Sequence, residues 1–253
     1  MKIVSHIPHS SLMIPADIRE QFVISDEELR AELHSMTDHF TEELFCQAAP
    51  AATDVIFPVS RLVVDPERFE NDADEPMASI GMGVIYEQSS TGNLLRRKSS
   101  PIERQRLLVE YYRPHHARLS KAVGEALQDG EKCLVLDCHS FPATALPYEL
   151  GKYLQRLEIC IGTDAFHTPD WLTALAVRTF QNAGFSVAVN EPFAGALVPS
   201  AFYQTDDRVL ALMVEIRRDM YVDESTGQKA ANFADFRQKL HLCISKIKEG
   251  SYE

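Results

Sequence analysis

The chain has 253 residues, 45% of them hydrophobic and 25% charged, a length and balance that suit one α/β domain. Its formal net charge of −12 argues against nucleic acid or an anionic membrane as a partner, because both demand a basic face. No apolar run reaches membrane-spanning length and Met1 to His6 lacks the apolar core of a signal peptide. Five cysteines without a Cys-x-x-Cys pair point to a reducing cytoplasm rather than a disulfide framework.

Residues 2–6 are short and β-branched and predict a first strand, which runs into Ile7-Pro8-His9-Ser10-Ser11. Pro8 ends regular pairing and leaves His9 on the strand exit, where a neutral imidazole can serve as a zinc ligand. His6 and His9 cannot both face one way on a regular strand, so His9 is the candidate ligand and His6 a supporting or structural residue. Residues 26–46 predict a helix: Ser25 and Glu28 form a capping box, and Leu29, Leu33, Met36, Phe40 and Leu44 recur at helical spacing. Asp38 interrupts that pattern and reads either as part of a solvated face or as a third metal ligand.

Residues 55–58 predict another strand, leading to Ser60-Arg61-Leu62-Val63-Val64-Asp65-Pro66-Glu67-Arg68. The planar forks of Arg61 and Arg68 suit bidentate recognition of a substrate carboxylate; the alternative is a surface ion pair with Asp65 or Glu67. Residues 71–100, with Gly81, Gly83 and Gly92, read as a long excursion, a lid or hairpin over the site. Pro101 opens a helix through residue 110, and Pro114 kinks or restarts it before residues 117–128. His115 and His116 are adjacent, so at most one reaches a common site. Asp129-Gly130 is the turn that follows.

Leu134 to Leu136 is a buried strand that ends in Asp137-Cys138-His139-Ser140-Phe141. Ligands in open α/β sheets sit outside the carboxyl ends of strands, which is where His139 falls. Residues 158–164 predict a strand, 169–183 a helix stopped by Gly184, and 185–189 a strand followed by Asn190-Glu191-Pro192-Phe193. Residues 209–216 form the last strong strand and hold Glu215 within Leu212-Met213-Val214-Glu215-Ile216. A carboxylate in an apolar run is costly unless paired, bound to metal or kept neutral, so Glu215 is the candidate acid/base, against the alternative of a solvated strand face. Residues 232–248 predict a closing amphipathic helix.

Strand ends thus supply His9, His139 and Glu215, with arginines nearby. Two histidines and an acid are a catalytic zinc set; the metal makes water more acidic, and Glu215 would pass the water's proton to a leaving amine. No nucleophile elbow, P-loop or GxGxxG fingerprint is present, and Cys138 is a rival nucleophile.

Taken in order, Ile7-Pro8-His9-Ser10-Ser11, Thr37-Asp38, Ser60-Arg61-Leu62-Val63-Val64-Asp65, Tyr112-Arg113-Pro114-His115-His116, Leu136-Asp137-Cys138-His139-Ser140, Gly162-Thr163-Asp164, Asn190-Glu191-Pro192-Phe193 and Glu215-Ile216 resemble the N-formylglutamate amidohydrolases, or N-formylglutamate deformylases, of bacterial histidine breakdown. That family is in turn similar to the zinc carboxypeptidases, with His9, His139-Ser140-Phe141, Asp65-Pro66-Glu67-Arg68-Phe69 and Glu215-Ile216-Arg217 matching their steps. Two departures stand out. Glu67 replaces an asparagine, and Leu12 stands where the glutamate of a His-x-x-Glu pair belongs, which leaves Asp38 as the proposed third ligand. The resemblance implies a phosphorylase/hydrolase-like three-layer α/β/α fold with a mixed, mostly parallel sheet, one domain over residues 1–253. It implies a cytoplasmic enzyme that cleaves N-formyl-L-glutamate, a small acidic N-acyl amino acid, to formate and L-glutamate. Zn2+ would sit on His9, Asp38 and His139, Glu215 would be catalytic, and Arg61, Arg68, Asn190 and Arg217, or Arg218 in its place, would hold substrate. A zinc carboxypeptidase or another N-acyl-amino-acid hydrolase is the alternative enzyme, and a non-catalytic binder of small acidic ligands the alternative of another class.

Overall fold

Two nine-residue strands with unbroken runs of apolar side chains, Cys133–Phe141 and Val209–Arg217, pair in parallel at the centre of the sheet. Such runs mark strands covered on both faces. A computed structural model describes residues 1–49, 51–128, 130–149 and 155–250. In chain order the main-sheet strands are β1 (Lys2–Ile7), β2 (Thr53–Ile56), β3 (Cys133–Phe141), β4 (Ile159–Gly162), β5 (Val187–Val189) and β6 (Val209–Arg217). Their spatial order is β2-β1-β3-β6-β4-β5, parallel throughout except where β4 runs antiparallel to β6. A separate two-stranded ribbon joins β7 (Val222–Asp223) to β8 (Gln228–Lys229).

The helices are α1 (Ala16–Arg19), α2 (Asp26–Met36), α3 (Thr41–Phe45), α4 (Pro101–Leu107), α5 (Arg113–Ala126), α6 (Asp170–Asn182) and α7 (Phe233–Glu249). On one face of the sheet, Val4, Val55, Val135 and Val209 pack against Leu119 and Val123 of α5. On the other, Ile3, Leu134, Leu136, Leu210 and Leu212 pack against α3, α6 and α7. This gives the three-layer mixed α/β arrangement. Among the described residues no helix is long and apolar enough to cross a membrane.

The period of two along a strand decides what faces what. Val135, Asp137 and His139 share the α5 face of β3; Val209, Ala211, Met213 and Glu215 share that face of β6; Val4 and His6 share it on β1. The register sets His6 beside Asp137, and His139 beside Glu215. The charged groups therefore follow the valines out of the core on one side.

Two expectations are corrected. The single helix over 26–46 is broken. Ser25 and Glu28 form the capping box, but α2 stops at Met36, Thr37 is extended, and Phe40 turns with φ 59° before α3. Asp38 N–H donates instead to the His9 carbonyl at 3.0 Å, and the Thr41 hydroxyl to the Asp38 carbonyl at 2.8 Å. The excursion over 71–100 is not a lid. Met82, Val84, Tyr86 and Leu95 are buried in a cluster with Phe57, Val59 and Leu62 to Val64, so the segment builds a wall of the core; Gln88 and Leu94 close its short hairpin. Pro114 does restart its helix, standing in the first turn of α5. A π-helical turn, Leu108–Tyr112, links α4 to α5 and accommodates the missing proline N–H. Asp129, half of the expected turn, lies outside the described residues, while Gly130 turns with φ 74°. Gly162, at the end of β4, must be glycine: a Cβ there would lie 2.1 Å from the Gly195 carbonyl, which crosses it and brings Phe193 over the sheet's end.

Candidate active site

His9 emerges two residues beyond β1, Asp38 sits in the break between α2 and α3, and His139 and Glu215 end adjacent strands. The fold brings them together. Asp38 Oδ2 lies 3.6 Å from His9 Nδ1 and 3.2 Å from His139 Nδ1. Each ring presents its other nitrogen to a buried carboxylate: His9 Nε2 is 2.8 Å from Asp65 Oδ1, and His139 Nε2 is 3.0 Å from Asp137 Oδ1. Carboxylates placed this way fix a metal-ligating imidazole's tautomer and orientation.

The donor set fits a divalent cation. Three buried N and O atoms face one another, and His9 Nδ1 has no hydrogen-bond partner. Burial opposes ionisation of Asp38, yet hydrogen bonds with His139 and His9 outweigh it and hold the carboxyl below its ordinary range. Burial likewise works against a charge on His139, but the charge and hydrogen bond of Asp137 keep a proton on it that a cation at Nδ1 would displace.

Glu215 is buried beside this group, and its Oε2 has no hydrogen-bond partner. Burial pushes its carboxyl up to about 8, against the pull of the neighbouring His139 charge. A carboxyl in that state is poised to accept and return a proton near neutral pH.

All four residues line a cavity of about 380 Å³, walled by Met77, Phe141, Tyr148 and Phe193. Arg61, Arg68 and Arg218 also line it. Arg61 spends its fork inward: Nη2 donates to Asp65 Oδ2 at 2.8 Å and Nε at 3.2 Å. Arg68 and Arg218 each keep a buried Nε without a hydrogen bond, and their ion pairs with Asp65 (3.8 Å) and Asp38 (3.7 Å) are long, which suits them to an incoming carboxylate.

Two of the expected substrate contacts are not brought in. Arg217 turns away, donating from Nε to Asp219 at 2.7 Å and from Nη1 to the Arg156 carbonyl at 2.7 Å. Arg218 faces the cavity instead, because the chain leaves β6 in a 3-10 turn, Arg218–Met220, and strand parity ends there. Asn190 is exposed with φ 57°, and its amide is spent on Thr163, donating to the hydroxyl at 2.8 Å. Cys138, the rival nucleophile, points into the opposite apolar layer; burial raises its thiol well above the ordinary range.

Sequence reasoning passed over Asp65 and Asp137. Asp65 is fully buried and joins His9, Arg61 and the Tyr86 hydroxyl, as well as Glu67 N–H at 2.9 Å. Burial opposes its charge, but Arg61 and His9 hold its carboxyl well below the usual range. The signal in the sequence was Asp65 following three apolar residues, the same feature that singled out Glu215.

Fold and site together suit a hydrolase. The chain belongs to the N-formylglutamate amidohydrolase family, whose sequence model matches residues 1–222. Its structure is similar to the crystal structure, at 2.00 Å resolution, of N-formylglutamate amidohydrolase from Ralstonia eutropha JMP134. The TM-score is 0.82 and the identity 26%, over 98% of this chain and 93% of that one. It shares its fold with the gene product Atu2144 from Agrobacterium tumefaciens, with a TM-score of 0.69 and 22% identity over 98% and 92% of the two chains. No curated protein sequence is significantly similar to it.

Proposed function

We propose that this protein hydrolyses N-formyl-L-glutamate to formate and L-glutamate, with a divalent cation held by His9, Asp38 and His139. Mixed imidazole and carboxylate donors favour zinc. The observation that carries this reading is one small cavity holding that donor set, the proton acceptor Glu215, and the uncommitted guanidinium nitrogens of Arg68 and Arg218. The family resemblance carries with it a place in histidine breakdown in a reducing cytoplasm, a setting that five free cysteines fit.

When bound, such an ion supplies Lewis acidity, polarising the formyl carbonyl and making water more acidic. Glu215 takes the proton as the water oxygen joins the formyl carbon. It then delivers that proton to the glutamate nitrogen as the C–N bond breaks, leaving formate and a free amine. Arg68 and Arg218 hold the two substrate carboxylates, and Arg61 with Asp65 keeps His9 in place. Phe141 and Phe193 exclude bulk water, which strengthens each of these electrostatic contacts.

The test is formate release from N-formyl-L-glutamate, set against N-formyl-L-leucine, N-acetyl-L-glutamate and a short acidic peptide, with metal content measured on the same sample. Formate from the first substrate, lost on chelation and restored by zinc, is expected. Metal-loaded protein that releases a C-terminal amino acid from the peptide, and no formate, would overturn the reading in favour of a carboxypeptidase.

A further inference from the structure

Behind the His139 ring lies a second cluster, of which the proposed reaction uses only Asp137. His6, fully buried on β1, turns its Nδ1 toward two carboxylates, 3.0 Å from Asp137 Oδ1 and 3.1 Å from Glu67 Oε1. Its Nε2 lies 2.8 Å from His115 Nε2 on α5. Two facing ring nitrogens need one N–H between them. Where His115 supplies it, His6 Nδ1 is an N–H donor to one acid; where His6 supplies it, Nδ1 carries either a second proton or a cation. A proton on Nδ1 points along one line, and Glu67 Oε1 is buried without a hydrogen bond. A cation satisfies all three atoms at once.

The spacing agrees. Ligand atoms around a tetrahedral ion at bonds of about 2.1 Å stand roughly 3.4 Å apart, a few tenths of an ångström more than the 3.0 and 3.1 Å from His6 Nδ1 to the two oxygens. With a cation at Nδ1, His6 would donate its Nε2–H to His115, repeating the arrangement that Asp65 gives His9. There is also a way in. A second cavity, of about 940 Å³, has Glu67 and Asp137 in its lining, with five carboxylates against two guanidinium groups, one of them Arg113 paired to Glu70. Such a lining draws cations.

We propose that His6 Nδ1, Glu67 Oε1 and Asp137 Oδ1 form a second divalent-cation site of the same zinc-like class, one imidazole away from the first. Asp137 Oδ1 also takes the His139 Nε2 proton, so an ion at the second site pins the ring that serves the first. The ion is structural: it holds His139 in the orientation that aims Nδ1 at Asp38. The site does not depend on the reading of the first one.

The test uses the full chain, stripped with chelator and dialysed against Zn2+, with ions per chain counted by elemental mass spectrometry for wild type, Glu67→Gln and Asp38→Asn. Two ions in wild type and one in each variant are expected. One ion in wild type, kept by Glu67→Gln and lost by Asp38→Asn, overturns the second site and leaves the first standing, with His6 a buried imidazolium. One ion lost by Glu67→Gln and kept by Asp38→Asn supports the second site and sinks the first. No ion in any sample overturns both. If Glu67→Gln does not fold, Co2+ titration of wild type followed by visible absorption decides: two successive uptake steps support the site, and one step overturns it.

Discussion

His9 and His139 stand with ring centroids 5.1 Å apart at an interplanar angle of 58°, each offering Nδ1 to Asp38 and Nε2 to a buried acid. The pair is oriented before any ligand arrives, and the acids behind it do the orienting. Asp65→Asn should therefore weaken zinc binding by about 10–100-fold without removing a ligand. It also leaves Arg61 buried beside a neutral amide, which should cost roughly 3 kcal/mol of stability. Competition with a chromophoric chelator and urea unfolding measure the two effects; unchanged zinc affinity would contradict the role given to Asp65.

Glu215→Gln should keep the metal and lower kcat by about 10²–10⁴-fold, the usual contribution of a general base. Full turnover in that variant would remove Glu215 from the reaction.

The same substitution has a signature in stability. Glu215 titrates near 4.5 when unexposed to the fold's influence and is pushed up to about 8 by burial in the folded chain. The folded state then holds the proton more tightly, so Glu215's contribution is fully present below about 4.5 and is lost as pH rises through about 8. In metal-free protein, the fall in urea stability between pH 5 and pH 9 should be shallower for Glu215→Gln than for wild type. Equal slopes would show that Glu215 is charged in the folded chain at neutral pH.

Arg68→Met and Arg218→Met should each raise KM for N-formyl-L-glutamate by about 10–100-fold, the worth of a charge-assisted hydrogen bond lost from a buried site. Arg217→Ala should leave KM near wild type, because its guanidinium is committed to Asp219 and the Arg156 carbonyl. Steady-state kinetics on the three variants would reverse the assignment if Arg217→Ala proved the most damaging.

Cys138→Ala should retain full activity, and the native thiol should resist iodoacetamide until the protein is unfolded. Its Sγ is enclosed in the apolar layer and bonded to the Leu136 carbonyl at 3.2 Å. Rapid labelling with loss of turnover would restore the thiol as a nucleophile.

Most of the scaffold was legible because it rests on local pattern. Unbroken apolar runs marked β3 and β6, Ser25 with Glu28 marked the start of α2, and an acid inside an apolar run marked Glu215. The end of α2 was hidden, because Met36, Phe40 and Leu44 continue the helical spacing across the break. What ends the helix is a bond from Asp38 N–H to the carbonyl of His9, a residue far away in the chain. The choice between Arg217 and Arg218 was hidden too, since it depends on a 3-10 turn one residue past the strand.

The sequence by itself determined which residues carry charge into apolar surroundings and which strand ends they occupy, since hydrophobic periodicity is a property of neighbours along the chain. Only the tertiary structure decided that Asp38 reaches both imidazoles, that Asp65 and Asp137 stand behind them, and that Asn190 and Arg217 face elsewhere. Those outcomes turn on register between strands and on backbone hydrogen bonds between distant segments, which no local spacing encodes.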